Sequence, residues 1–192
     1  MSRAGQGLAA PDAGPGAAAL RPSAYGVSSE DEGRQYVRNL ADAGVAFVKI
    51  WVDDRGGSVE KLDPRYYRAI INEAHAHGLD VIAHVFYHDD AEDLVAAGID
   101  GFAHLVRDSE MDDSLVDAIV EHDVFVMPNL GISERGRHTG PPDWLTSTLL
   151  SASVSPAVLN RASESFRRRD PGAASRAAQS YAQMERSLAK LH

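Results

Sequence analysis

Three times between Gly44 and Leu105 the chain runs a helix-like segment into a glycine, then into a short apolar stretch that ends on a polar, metal-capable side chain. The glycines are Gly44, Gly78 and Gly98, and the stretches are Val45–Trp51, Asp80–Val85 and Gly101–Leu105. Lys49 lies five positions past its glycine, and His84 and His104 lie six past theirs. A glycine just beyond a helix can adopt the left-handed conformation that satisfies the free carbonyls. A short run rich in Val, Ile and Phe then reads as a strand buried on both faces, the habit of parallel sheets. Helix, glycine and buried strand in repetition predict an α/β chain with parallel strands and right-handed crossovers. In such folds chemistry collects at the carboxyl ends of the strands. Lys49, His84 and His104 all fall at those ends.

A fourth unit follows. Met111–His122 reads as a helix and Val124–Leu130 as a strand, with Asp123 in the place of the glycine and Asn129 as a residue that could face a substrate. Helix starts are legible as well. Ser29 and Glu32 have capping-box spacing, and Asp63–Pro64 is an N-cap followed by a first-turn proline. Residues 1–27 are rich in Gly, Ala and Pro and read as a flexible lead-in. Residues 28–140 carry the repeated units, and 131–142 form an irregular loop suited to a lid. Residues 141–192 read as helices, the last placing Tyr181, Met184, Leu188 and Leu191 on one face.

Composition narrows the functional classes. A net charge of −9 argues against general affinity for nucleic acid or an anionic membrane surface. The absence of cysteine removes disulfides, thiolate metal sites and a cysteine nucleophile and is compatible with a reducing compartment, and an N-terminus without the apolar core of a secretory signal makes the cytoplasm the default expectation. No apolar run approaches the ~20 residues a membrane helix needs. P-loop, dinucleotide-fold, zinc-protease-helix and Gly-x-Ser-x-Gly patterns are all missing.

A histidine at one strand end is often a hydrogen-bonded core residue, but two at matching positions in consecutive units suit a Zn²⁺ site. Lys49 ends an otherwise apolar strand, so its amine must be paired or neutral. Asp53 or Asp54 could pair with it. Alternatively, the neutral amine could take up CO₂ and become an anionic carbamate able to bridge metal ions. Tyr87 and Arg107, shortly after the two histidine strands, could hold a substrate carboxylate or carbonyl. His75 and His77 sit two apart on a helix and do not share a face. His88, His122 and His138 are not expected to bind metal.

The segments Val48-Lys49-Ile50-Trp51, Ala83-His84-Val85 and Phe102-Ala103-His104-Leu105, with Glu73–Gly78 ahead of the second, resemble the metal-dependent amidohydrolase superfamily. The closest flavour is the imidazolonepropionase-like and metal-dependent dipeptidase-like branch. The resemblance implies part of a (β/α)₈ TIM barrel, about strands four to seven, followed by a helical segment. It makes Lys49, as a carbamate, and His84 and His104 ligands of one or two divalent ions such as Zn²⁺. It implies hydrolysis of amide, peptide-like or ester bonds in a small-molecule substrate by metal-activated water. The family's strand-one His-x-His pair and strand-eight aspartate find no match, so the chain is expected to be cut at both ends and inactive by itself. The other expectation is a non-catalytic half barrel that pairs with itself or a partner chain through exposed sheet edges.

Overall fold

The computed structural model describes residues 4–16 and 18–192; Met1, Ser2, Arg3 and Ala17 of the expected lead-in lie outside the described residues. Six strands form one parallel sheet: β1 (Gly7–Ala9), β2 (Ala24–Gly26), β3 (Phe47–Val52), β4 (Asp80–Val85), β5 (Gly101–Phe102) and β6 (Phe125–Val126). Their order is β2-β1-β3-β4-β5-β6. From β3 onward, consecutive strands are neighbours, joined by α2 (Pro64–Ala76), α3 (His88–Ala96) and α4 (Asp113–Glu121). The connection from β2 to β3 contains α1 (Glu30–Asp42) and passes over β1.

The units follow the sequence grammar. Gly44, Gly78 and Gly98 have φ of +68°, +68° and +87°. Asp123, standing where the fourth glycine would be, has φ +55°, a conformation aspartate tolerates better than most side chains. Ser29 caps α1 by accepting the Glu32 N–H, and the Glu32 carboxylate accepts the Ser28 N–H at 2.8 Å. Asp63 caps α2 by accepting the Arg65 N–H, with Pro64 in the first turn.

One face of the sheet is closed by helices. Val48, Ile50 and Val52 of β3 and Val81, Ala83 and Val85 of β4 join one apolar cluster with Val37, Ile70, Ile71, Leu94, Leu115 and Ile119. Burial alternates along β3, so Phe47, Lys49 and Trp51 project to the other, half-open face. That face would be the interior of a closed barrel. At its β6 side Phe125 and Met127 remain 42% and 44% exposed.

Three expectations are revised. The lead-in, expected as flexible loop, contributes β1 and β2 to the sheet. Its strands are three residues long and β1 holds a single large side chain, Leu8, so neither displays a readable period. Small residues are required there: a Cβ on Gly7 would lie 2.1 Å from the Trp51 ring. The sheet therefore has six strands where four were expected. Finally, the strands ending near His104 and Asn129 are only two residues long. Past β6, Pro128 lacks an N–H for the ladder, Asn129 turns at φ +53°, and residues 130–134 form the short helix α5 (Leu130–Glu134) where an irregular loop was expected. The remaining chain is helical, as expected, with α6 (Thr148–Ser153), α7 (Pro156–Arg167) and α8 (Pro171–Lys190). Helix α8 inserts Met184 into the core, and Ser187 accepts the Met111 N–H at 2.9 Å.

Candidate metal centre

Register decides how the three expected ligands meet. Trp51 pairs with His84, whereas Lys49 pairs with Ile82, two residues further from the strand end. Lys49, expected at a strand end, is the third of the six residues of β3 and lies one inward-facing position before the Trp51–His84 pair, while the ladder between β4 and β5 ends at Ala83 and Phe102, ahead of both histidines. The two imidazoles lie edge to face with centroids 4.5 Å apart. The Lys49 amine donates to the Ile50 carbonyl at 3.1 Å and sits 5.2 Å from the Trp51 ring centre. Neither Asp53 nor Asp54 pairs with it.

Asp53 is instead the partner of His84, with Oδ2 3.1 Å from Nε2. Arg107 reaches the same nitrogen, its Nη2 at 3.1 Å, while also donating to the Val85 carbonyl at 3.1 Å and stacking on Phe86. One imidazole nitrogen thus faces an anion and a cation together. A neutral Nε2 can donate to Asp53 or accept from Arg107, not both. The Arg107 Nε is buried with no hydrogen-bond partner among the described residues.

The electrostatics follow from burial of several basic groups beside one carboxylate. Desolvation lowers the Lys49 amine to about 7. Desolvation also lowers His84, with the cations of Arg107 and Lys49 acting in the same direction and Asp53 opposing them. His104 falls to about 3 through burial, then through His84, Arg107 and Lys49. Both imidazoles are accordingly neutral at physiological pH, the form in which histidine ligates metal. Burial pushes the Asp53 carboxyl up, but the hydrogen bond with His84, the Arg55 N–H and the charges of His84 and Arg107 outweigh it and hold it below its ordinary value.

Tyr87 and Asn129 complete the surroundings. The Tyr87 hydroxyl donates to Asp54 at 2.6 Å, which raises its pKa to about 12 and ties it to the loop after β3. Asn129 Nδ2 lies 3.5 Å from His104 Nδ1. Arg55 donates to the Ala13 carbonyl at 3.1 Å and also contacts the Gly14 carbonyl, fastening this loop to the segment after β1. Between them is a cavity of about 350 Å³ bordered by Gly14, Trp51, Asp53, His84, Phe86 and Arg107.

Sequence reasoning placed Asp53 in a loop over the site and missed its contact with His84. Its position carried a signal: residues 49, 51 and 53 share the parity of one strand face. The remaining histidines stay outside this centre. His75 and His77 lie at the end of α2, where His75 contacts Asp100 at 2.9 Å and Asp100 also accepts the Val81 N–H at 2.6 Å. Among the described residues, His88, Glu92 and Asp112 form a separate group whose ligand atoms lie within 4.8 Å of one another. It sits at the starts of α3 and α4, whose positive ends disfavour a cation.

The donor types suit a divalent ion. Two neutral imidazoles, a carboxylate and a neutralisable amine lie on one face, and a carboxylate oxygen stands 3.1 Å from an imidazole nitrogen, but His84, His104 and Asp53 do not bring three donor atoms within 4.8 Å of one another as His88, Glu92 and Asp112 do. That spacing suits a shared proton or a shared cation.

No family model matches the chain. Uncharacterised proteins of Mycobacterium tuberculosis and Mycobacterium bovis are 32% identical over 112 residues, a match covering 55% of this chain and 30% of theirs. Solved structures with a similar fold include a prolidase complexed with N-methylphosphonate-L-proline, with TM-score 0.63 and 19% identity over 98% of this chain and 44% of that one. They include a Xaa-Pro dipeptidase with methionine bound in its active site, with TM-score 0.60 and 15% identity over 98% and 45%. An amidohydrolase matches with TM-score 0.54 and 20% identity over 94% and 44%. The chain thus has the fold of the amidohydrolases and spans a little under half the length of these enzymes.

Proposed function

We infer that this chain carries the central part of a metal-dependent hydrolase acting on amide, peptide-like or ester bonds. The observation that supports it most is the contact of the His84 and His104 imidazoles past the ends of β4 and β5, with Lys49 on the neighbouring strand β3. His84 and His104 would hold one or two divalent ions such as Zn²⁺. Lys49 would join them as a carbamate, formed when its neutral nitrogen adds to the carbon of CO₂ and releases a proton. A bound metal supplies a water of lowered pKa and polarises the substrate carbonyl. Arg107 and Tyr87 line the adjoining cavity and are assigned to orient a small-molecule substrate, with Asn129 steadying His104. The prolidase and dipeptidase likenesses favour a C–N bond in a small peptide-like molecule.

The test is elemental analysis of the purified chain together with ¹³C NMR in labelled bicarbonate. Near-stoichiometric zinc, lost in His84→Ala and His104→Ala, and a carbamate resonance absent from Lys49→Met are expected. A metal-free protein that rejects added zinc would end this reading. The only His-x-His in the sequence is His75–His77 at the end of α2, away from His84 and His104, so little or no turnover is expected from these 192 residues alone.

The open sheet favours a second reading, a half barrel completed by a second copy or another chain. Phe125 and Met127 stand exposed beside the edge strand β6, a position that invites pairing.

A further inference from the structure

Among the described residues the carboxylate of Asp53 is the one anionic group in contact with either site histidine, and no motif that suggested the metal centre includes it. Asp53 follows β3 directly, two residues past Trp51, and its side chain reaches His84 of β4. Its two oxygens are used differently. Oδ1 accepts the Arg55 N–H at 2.8 Å, which fixes the carboxylate plane, and Oδ2 points at His84 Nε2 from 3.1 Å. Its side chain is 16% exposed and that of His84 17%, so the pair is largely shielded from water. The Arg107 guanidinium at the same His84 nitrogen has a second acceptor, the Val85 carbonyl, and can keep that bond when Nε2 is taken by another partner.

We propose that Asp53 Oδ2 is a direct ligand of the metal held by His84, giving this chain a carboxylate donor of its own. The proposal rests on the metal-centre reading above. It gives one stretch of chain two roles at the site, Lys49 from within β3 and Asp53 from just past its end. An ion there would replace the unfavourable sharing of one imidazole nitrogen between a carboxylate and a guanidinium.

Cobalt(II) is the probe, added to the metal-stripped full chain and followed by equilibrium dialysis and visible absorption. Asp53→Asn keeps the acceptor for the Arg55 N–H while removing the charge. The expected result is at least about tenfold weaker cobalt binding with a changed visible spectrum. Asp112→Asn, in the exposed cluster with His88, is expected to change neither. Circular dichroism checks that each variant folds, and Asp53→Glu, which keeps the charge, is expected to recover binding at least in part if the asparagine variant is unfolded. Weaker binding with an unchanged spectrum would make Asp53 a positioning residue and overturn the assignment. Unchanged binding in Asp53→Asn alongside loss in His84→Ala would overturn it while sparing the metal centre. Loss in Asp112→Asn in place of Asp53→Asn would move the ion to the exposed cluster. A wild-type chain that binds no cobalt would remove both readings.

Discussion

Replacing Lys49 by methionine should make the protein more stable near neutral pH. The amine lies on the inner sheet face, its one hydrogen bond is to the Ile50 carbonyl, and desolvation lowers its pKa from 10.5 to about 7. At 1.36 kcal/mol per unit, that shift corresponds to about 5 kcal/mol against the charged form. Partial solvation of the half-open face reduces the working figure to about 3–5 kcal/mol. Below about pH 7 both native and unfolded chains carry the proton, and the native state bears the whole cost. Between about pH 7 and 10.5 the native amine is neutral while the unfolded chain still binds a proton, so stability rises with pH. Lys49→Met, similar in volume and uncharged, lacks this cost. Urea unfolding of both proteins from about pH 6 to about pH 10, in CO₂-free buffer, should show a gap of several kcal/mol that closes as pH rises. Bicarbonate should then stabilise the wild type alone, because a carbamate forms on the native amine. A constant gap across this range, or no gap, would refute the claim that Lys49 is held in a desolvated place.

Two further outcomes follow from the sheet. Gly7→Ala should destabilise the protein by about 1–3 kcal/mol and shift Trp51 fluorescence, since the added Cβ would press into the indole 2.1 Å away; unchanged melting and emission would mean Trp51 does not lie across β1. Phe125→Ser with Met127→Ser should reduce any self-association seen by light scattering without loss of helical signal, because both side chains border the unpaired edge of β6; a mass unchanged from that of an associated wild type would discount this edge.

The site pairs two kinds of control over charge. Burial keeps His84 and His104 neutral and ready to donate lone pairs, while hydrogen bonds and neighbouring cations keep Asp53 ionised. The same chain segment that supplies Asp53 also supplies Asp54 for Tyr87 and Arg55 for the segment after β1. One loop therefore links His84, the wall of the cavity and the segment after the first strand. Among the described residues no helix is long and apolar enough to cross a membrane.

Local chemistry was legible wherever it had a period or a cap. The left-handed glycines, the Ser29 and Asp63 caps and the placing of His84 and His104 near the ends of their strands depend on neighbours a few residues away, and sequence records those directly, whereas Lys49 lies mid-strand in β3. β1 and β2 were not legible, because three-residue strands made of Gly, Ala, Leu and Tyr are stabilised by what lies across them, not by their own pattern. Trp51 over Gly7 and Phe125 over Gly101 are such long-range contacts.

By itself the sequence determined a parallel α/β unit, its repeat and two histidines near strand ends. Only the tertiary structure decided that Lys49 lies mid-strand, opposite Ile82, that Asp53 and Arg107 meet at one nitrogen of His84, and that Phe125 and Met127 stay exposed at β6. The reason is physical: strand register and cross-strand packing arise between segments distant in the chain, and no local pattern encodes the distance between them.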